Sequence, residues 1–188
     1  MRREDFYNNG NLLVGCTGTV ESIDFYRQIW HLKSTVCKNI KIIVTDDAKN
    51  FINVTLLKTI THCEVYDSMF SEGLSVPHVN LPLWADVFLI LCASANSIAK
   101  IANGHSDNLL TAAVLNASCP VILVPSMNKQ MWRKPSVQRN IDTLVKDAII
   151  VCAFEVRVFE AATLTSEEGI SVDFPKLILR LSRVIRTL

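Results

Sequence analysis

Strong net charge and long apolar segments are both missing from this sequence of 188 residues. Its 19 basic and 18 acidic side chains leave a formal net charge of +1, so charge gives no reason to expect binding to nucleic acid or to a membrane surface. The longest apolar run, around residues 87–92, is far too short to cross a bilayer, and the first residues lack the apolar core of a signal peptide. We therefore expect a soluble, cytoplasmic protein without a nucleic-acid or membrane partner.

Paired cysteines are also missing. The six cysteines are scattered along the chain and none has the CxxC spacing that is typical of zinc sites. The same scatter argues against a disulfide framework, so we expect reduced, mostly buried thiols and no metal site. Gly15-x-x-Gly18 does not match the glycine-rich fingerprint of dinucleotide-binding loops.

Short apolar segments alternate with amphipathic ones along the chain. Strands are predicted at residues 11–16, 40–45, 87–91, 121–124 and 148–152, with a shorter one at 63–66. Helices are predicted between them, including one over residues 20–33 and one that follows residue 45 and ends near residue 60. This alternation predicts an α/β fold with one domain, a doubly wound open parallel sheet of the Rossmann-like type. The predicted core spans residues 11–151, and a C-terminal helix spans 173–188.

Two polar stretches follow neighbouring predicted strands, at the sheet edge where open parallel sheets bind ligands. One is CASANS, residues 92–97, and the other is PSMNKQMW, residues 125–132. They bring to this edge two amides and an apolar wall of sulfur-containing and indole side chains: Asn96, Asn128, Met127, Met131 and Trp132. Such a lining suits a planar heterocycle with polar rims. Taken singly, each residue is explained as well by a turn, a helix cap at Asn128 or a core position.

The second stretch matches every fixed position of P-x-M-N-x-x-M-W, and so it resembles the signature of the homo-oligomeric flavin-containing cysteine decarboxylases. CASANS resembles their other hallmark, P-A-S-A-N-T, with Cys92 in place of proline and Ser97 in place of threonine. The resemblance covers about residues 11–144 and implies a flavoprotein whose cofactor is FMN, with FAD as the alternative. It also implies the residues of these two stretches that contact the flavin: Ala93, Ser94, Asn96, Ser97 and Met127.

Two further turns carry candidate cofactor residues. Gly18 allows a close approach of the backbone, and Thr19 has a hydroxyl at a helix start, where either an anion or a plain cap would fit. The resemblance implies the anion, because family members hold the flavin phosphate with a glycine–hydroxyl step here. It likewise implies that Thr45 lies beside the phosphate or the ribityl chain, and Asp46 and Asp47 must then point away from it.

A histidine and an amide are the candidate catalytic residues. His78 follows Pro77 and precedes the Trp-Ala-Asp that opens the central strand; from spacing alone a surface or capping role is the commoner one. The resemblance implies that His78 is the active-site histidine, acting as base towards a thiol, and that Asn128 binds the substrate carboxylate or the flavin. The segment IANGHSDNLLT, residues 101–111, resembles the family's trimer interface. A homotrimer is therefore implied, with a homododecamer as a further assembly.

Two substrates are compatible with this resemblance. One is the C-terminal cysteine of a ribosomally made precursor peptide, as in the epidermin and mersacidin decarboxylases of lantibiotic biosynthesis; the other is the phosphopantothenoylcysteine of coenzyme A synthesis. The coenzyme A enzymes carry A-C-G-D-x-G-x-G-x-M after the last strand, and its cysteine helps to reduce the intermediate. This chain has CAFEV at residues 152–156 instead. We therefore favour the peptide, whose oxidative decarboxylation ends at an enethiol, the aminovinyl-cysteine group.

Residues 153–172 form the least regular stretch, which fits either a plain hairpin or the clamp that relatives fold over their substrate. With Phe159 in this clamp, the expected substrate contacts are Asn128, Met131, Trp132 and Phe159. A different class of function is a flavin-binding regulatory subunit without turnover, but relatives of that kind carry long acidic tails that this sequence does not show. A flavin prenyltransferase shares the broad fold but would lack the P-x-M-N-x-x-M-W pattern.

Overall fold

The structure, a computed structural model, describes residues 2–70, 76–160 and 165–188, without the side chains of Arg3, Phe159 and Glu160. The strands are β1 (Asn11–Cys16), β2 (Asn39–Val44), β3 (Glu64–Tyr66), β4 (Val87–Ala93), β5 (Val121–Pro125), β6 (Met127–Asn128), β7 (Ile150–Val151), β8 (Phe154–Glu160) and β9 (Thr165–Ser171). Six of them form a parallel sheet in the order β3-β2-β1-β4-β5-β7. The predicted α/β fold with a doubly wound parallel sheet is confirmed.

Helices cover both faces of this sheet. They are α1 (Arg3–Asn9), α2 (Phe25–Thr35), α3 (Val54–Thr61), α4 (Pro77–Trp84), α5 (Ala95–Ala102), α6 (Leu109–Leu115), α7 (Lys129–Trp132), α8 (Pro135–Lys146) and α9 (Phe174–Ile185). Leu89 and Leu91 of β4 pack with α1, α2, α3 and α9, whereas Phe88 and Ile90 pack with α4, α5, α6 and α8. Because both faces are covered, the central strand is apolar throughout. No helix within the described ranges has the length and apolar character needed to cross a membrane.

Two predicted helices are divided in the structure. The helix predicted over residues 20–33 begins with a 3-10 turn, Val20–Asp24, and continues as α2. The helix predicted after residue 45 consists of a 3-10 turn, Asp47–Asn50, and the separate α3. The side chain of Asn53 accepts the N–H of Leu56 at 2.9 Å and so caps α3. This cap begins a new helix within the stretch where the prediction had a continuous one.

The stretch after β7 forms an antiparallel hairpin of β8 and β9. β9 also pairs with β6, with Met127 opposite Ile170 and Asn128 opposite Gly169. Residues 161–164 of the predicted clamp lie outside the described residues. The three-stranded sheet β6-β9-β8 connects the hairpin directly to the PSMNKQMW stretch.

Candidate active site

A cavity of about 230 Å³ lies at the carboxyl edge of the main sheet, among the segments that follow β1, β4 and β5. Its lining comes from these segments and from β8: Gly18, Thr19, Val20 and Glu21; Ser94 and Ala95; Ser126, Met127, Asn128 and Met131; and Val158. Parallel strands direct their following loops and helix N termini to one edge. Residues that are far apart in the sequence therefore meet here.

Thr17 joins the ends of β1 and β4. Its side chain is 1% exposed, and its hydroxyl donates to the carbonyl oxygen of Cys92 at 2.6 Å. The same hydroxyl accepts the N–H of Ser94 at 2.9 Å. Because one hydroxyl serves as both donor and acceptor, it holds the two loops in a fixed relative position. Sequence reasoning missed Thr17, although a hydroxyl between a buried strand and Gly18 was a usable signal.

Gly18 packs against the turn after β2. A Cβ atom at Gly18 would lie 2.6 Å from the Cβ of Asp47 and 2.8 Å from its carbonyl carbon, so any other residue would force the two turns apart. Thr19 follows as the N-cap of the 3-10 turn and forms a capping box with Ser22. Thr19 thus caps the turn and also lines the cavity.

Ser94 begins α5, and its hydroxyl accepts the N–H of Ser97 at 3.2 Å. Ala93 is buried and Asn96 is exposed. Cys92 has a φ of 52°, which proline cannot adopt because its ring fixes φ near about −65°. The departure from P-A-S-A-N-T at this position therefore accompanies a backbone path that excludes proline.

Ser126 links the loop after β5 to the other two loops. Its hydroxyl donates to the carboxylate of Glu21 at 2.7 Å, and its N–H donates to the carbonyl oxygen of Ala93 at 2.9 Å. Sequence reasoning missed Glu21, which places a carboxylate in the cavity lining. Asn128 caps α7 through its side-chain oxygen, which accepts the N–H of Met131 at 2.9 Å. The capping interpretation of Asn128 is therefore correct, and it orients the amide with its oxygen towards the helix.

Thr45 follows β2 at the same sheet edge. Its hydroxyl oxygen is buried and has no hydrogen-bond partner among the described residues. An unsatisfied buried hydroxyl costs about 1–3 kcal/mol, so this atom fits a ligand oxygen that would pair with it. Asp46 is 87% exposed and pairs with Lys49 at 2.9 Å. The unpaired hydroxyl of Thr45 fits a flavin phosphate at this turn.

His78 is the second residue of α4, after Pro77 at the first position of the helix. Its Nδ1 atom is buried and has no hydrogen-bond partner in the described ranges. α4 packs against α6 and β1. Among the described residues His78 is not part of the lining of the 230 Å³ cavity of its own chain.

The cavity brings together six of the predicted site residues: Gly18, Thr19, Ser94, Met127, Asn128 and Met131. Trp132 lines a neighbouring cavity of about 330 Å³. Within the described part of the chain, the other predicted residues lie outside the lining of the first cavity: Thr45, Ala93, Asn96, Ser97, His78 and Trp132. Phe159 belongs to β8, but its side chain lies outside the described residues.

The six cysteines are free thiols, and five of them are buried. Burial raises the pKa of the Cys16 thiol well above its ordinary range and that of Cys37 to about 11, and it also raises the pKa of Cys152. None of the residues described as lining the 230 Å³ cavity is a cysteine. The chain therefore places no thiol of its own beside the candidate substrate position.

The family model described as "Flavoprotein" matches residues 2–174. Among curated relatives, the coenzyme A biosynthesis bifunctional protein CoaBC of Bacillus subtilis (strain 168) is 37% identical over 111 residues, which are 58% of this chain and 27% of that protein. Mersacidin decarboxylase of Bacillus sp. (strain HIL-Y85/54728) is 34% identical over 157 residues, 82% of this chain and 79% of that protein. The chain thus spans about a quarter of the bifunctional protein and most of the mersacidin enzyme.

Two solved structures have the same fold. The FMN-dependent cysteine decarboxylase SpaF superposes with a TM-score of 0.79 at 30% identity, over 94% of this chain and 98% of that one. A variant of EpiD complexed with the substrate peptide DSYTC superposes with a TM-score of 0.82 at 30% identity, over 94% of this chain and 99% of that one. The predicted family and its flavin cofactor are confirmed, and the relatives support flavin-dependent cysteine decarboxylation with either class of substrate.

Proposed function

Because this chain belongs to the flavoprotein family, we propose that it is an FMN-dependent decarboxylase acting on the C-terminal cysteine of a peptide. The products are carbon dioxide and an enethiol, the group needed for aminovinyl-cysteine formation in lantibiotic biosynthesis. One observation carries the proposal. The CASANS and PSMNKQMW stretches meet around one cavity, and the hairpin that is paired with the second stretch adds Val158 to its lining. The cavity therefore has a cofactor side and a substrate side.

FMN would be held by three turns of the sheet edge. Thr45 offers an unpaired buried hydroxyl to the phosphate, and Gly18 lets the turn after β1 pack against the turn that carries Thr45. Ser94 and Met127 line the space beyond, where a planar ring fits between hydroxyl and thioether groups. When bound, FMN supplies the acceptor for the hydride of the carbon that bears the sulfur.

The protein groups must deprotonate the thiol, hold the carboxylate and exclude water. With typical pKa values near 6.5 for an imidazole and 8.5 for a thiol, proton transfer from a thiol to an imidazole is in general uphill by about 2.7 kcal/mol. A positioned histidine overcomes such a gap, because general-base catalysis contributes roughly 10²- to 10⁴-fold. Asn128 binds the carboxylate without adding a positive charge that would oppose loss of carbon dioxide. Met127 and Met131 provide an apolar wall that weakens solvation of the carboxylate.

The histidine reaches this cavity from a neighbouring copy of the chain in our proposal. Its Nδ1 atom has no partner within the described part of its own chain, and His78 does not line that chain's cavity. Large apolar side chains near it are exposed, Val76 by 51% and Leu83 by 65%, as expected for a surface that another subunit covers. A cyclic homotrimer, which can assemble further into a dodecamer, provides such a boundary for each cavity.

The enethiol is the final product because the chain offers no thiol at the cavity to assist its reduction. Cys152 is the last cysteine of the sequence, so the hairpin carries none. Cys152 itself is buried, and it lies outside the described lining of the cavity. This favours a peptide substrate over phosphopantothenoylcysteine, whose conversion in coenzyme A synthesis continues to a reduced thiol.

Coenzyme A synthesis is the second candidate, because the bifunctional protein of Bacillus subtilis is 37% identical over the matched 111 residues. Mass spectrometry separates the two. Purified flavin-loaded protein is incubated with peptides ending in cysteine and, separately, with phosphopantothenoylcysteine. We expect peptides to lose about 46 mass units, one carbon dioxide and two hydrogens. A loss of about 44 units from phosphopantothenoylcysteine alone would establish the coenzyme A route instead, and flavin binding without any turnover would establish the regulatory class.

A further inference from the structure

Resting on the proposed function, we propose that the 330 Å³ cavity beside Trp132 binds an anionic group of the substrate, upstream of the cysteine. We call this cavity the cationic pocket. Its walls carry three cations, Lys129, Arg133 and Arg157, and two carboxylates, Glu155 and Glu168. The three cations come from the segment around α7 and from β8, so the fold brings them together from separate parts of the sequence.

A carboxylate is already stabilised inside this pocket. Glu168 forms an ion pair with Lys129 that joins β9 to α7. The pKa of the Glu168 carboxyl is lowered by this hydrogen bond first and then by the charges of Lys129, Arg133 and Arg157. The positive field of three side chains thus converges on one oxyanion position, and Glu168 marks where that position is.

The pocket is adjacent to the candidate active site. Met131 lines the first cavity and Trp132 lines the pocket, and the two are consecutive residues of α7. Likewise, Asn128 lines the first cavity and the next residue, Lys129, lines the pocket. An extended peptide rises about 3.3 Å per residue, so a chain whose terminal cysteine lies beside Asn128 would place a side chain one to three positions earlier in the pocket.

The solvent exposure of Lys129 and Glu168 determines how strongly the pocket discriminates between substrates. Lys129 is 41% exposed and Glu168 is 73% exposed, so solvent screens their interaction and exchange of Glu168 for a substrate anion is feasible. The pocket therefore contributes selectivity among substrates of about twofold to fivefold, which lies within the range expected for partly exposed ion pairs. High salt should reduce it.

Both proposed substrates contain an oxyanion that suits the pocket: an acidic side chain in the peptide and the phosphate of phosphopantothenoylcysteine. The observations favour the acidic side chain, because Glu168 shows a carboxylate in this position and the peptide is the proposed substrate. The shared chemistry allows both sources to be measured with the same variants.

The test compares pairs of pentapeptides ending in cysteine, with aspartate or asparagine at each of the three positions before it. Rates of loss of about 46 mass units are measured with flavin-loaded protein. Binding of matched peptides that end in serine is titrated separately, because these do not react. We expect a preference for aspartate of about twofold to fivefold at one position. Arg157→Gln and Arg133→Gln should reduce it, Glu168→Gln should increase it, and Arg139→Gln, an exposed arginine of α8, should leave it unchanged.

The outcomes of this test distinguish a failure of the proposed pocket from a failure of the proposed decarboxylation. Turnover of cysteine peptides with no aspartate preference, in rate and in binding, would overturn the pocket and leave the decarboxylase intact. Binding that favours aspartate without any mass loss would support the pocket and overturn the proposed reaction. If only phosphopantothenoylcysteine reacts, and it is preferred over its dephosphorylated form in a manner that Arg157→Gln abolishes, the pocket stands with phosphate as its anion.

Discussion

The hydroxyl of Thr17 and the backbone N–H of Ser94 form a 2.9 Å hydrogen bond that joins the turn after β1 to the start of α5. Glu21 and Ser126 form a comparable link, 2.7 Å long, between the same turn and the loop after β5. Three strand ends are therefore fixed to one another by two hydroxyls, each less than 3% exposed. The shape of the candidate flavin site therefore depends on these links.

Thr17→Val should destabilise the protein and weaken flavin binding. The substitution keeps the size of the side chain but leaves the Cys92 carbonyl and the Ser94 N–H without their partner, which costs about 1–3 kcal/mol. Thr17→Ser keeps the hydroxyl and is the matched control. Urea unfolding and titration with FMN measure the two effects. Equal stability and equal FMN affinity of the valine and serine variants would show that the bridge has no role.

Gly169→Ala should weaken substrate binding more than flavin binding. A Cβ atom at Gly169 would lie 2.9 Å from the carbonyl oxygen of Met127 and 2.4 Å from Val158, so it would push β9 away from β6. Overpacking of this kind costs about 1–3 kcal/mol, and we expect KM for a cysteine peptide to rise roughly tenfold. Ser166→Ala, an exposed position of the same strand, is the control. A lowered FMN affinity with unchanged KM would assign the hairpin to the cofactor instead.

Thr45→Val should have opposite effects on the free and the flavin-bound protein. The hydroxyl has no partner among the described residues, so its removal should leave the stability of the flavin-free protein unchanged or raise it by up to about 1–3 kcal/mol. FMN affinity should fall by roughly tenfold, the loss of one hydrogen bond to a charged phosphate. Thermal unfolding with and without FMN measures both. A variant that loses stability without flavin, and binds FMN normally, would contradict the assignment of Thr45 to the phosphate.

The main sheet could be predicted from the sequence because its strands are buried on both faces and so appear as unbroken apolar runs. The division of the helix that was predicted between residues 45 and 60 could not be predicted, and neither could the helix over residues 77–84. The side chain of Asn53 caps a separate helix, α3. The helix α4 contains Pro77 and Pro82, so its sequence does not have a helical pattern. Pro77 occupies the first helical position, where no N–H is needed, but Pro82 lies inside the helix, where proline usually argues against helical structure.

The site was predictable where a motif follows a strand, as for Ser94, Met127 and Asn128. Thr17, Glu21 and the pairing of β6 with β9 were not, since they depend on contacts between loops more than 40 residues apart in sequence. His78 could be singled out only by the family resemblance. The sequence pattern places His78 near a strand and does not distinguish a role in its own chain from the proposed role in a neighbouring copy.

Alkaline unfolding should show a specific contribution from Cys37. Its buried thiol donates to the carbonyl oxygen of Gly10 at 3.0 Å, and burial raises its pKa from the ordinary 9.0 to about 11. A raised pKa means that the folded state keeps the proton while the unfolded state loses it. The stabilisation is therefore complete below pH 9 and is lost as the pH rises to about 11, by about 2 kcal/mol. Cys37→Ser cannot titrate in this range. Its free energy of unfolding should fall less between pH 9 and 11 than that of the wild type, and parallel curves would contradict the prediction.

His78→Asn should bind FMN normally but release no carbon dioxide, and Asn128→Ala should be similarly impaired.

Mixing the two variants tests where His78 acts. If each cavity takes Asn128 from one copy and His78 from the next, co-expression of the two inactive chains creates some cavities in which both residues are intact. Random assembly of a cyclic trimer gives roughly a quarter of such cavities, so activity should return to about a quarter of the wild-type level. If both residues acted within one chain, no mixed oligomer would contain an intact site, and activity would stay at the level of the separate variants.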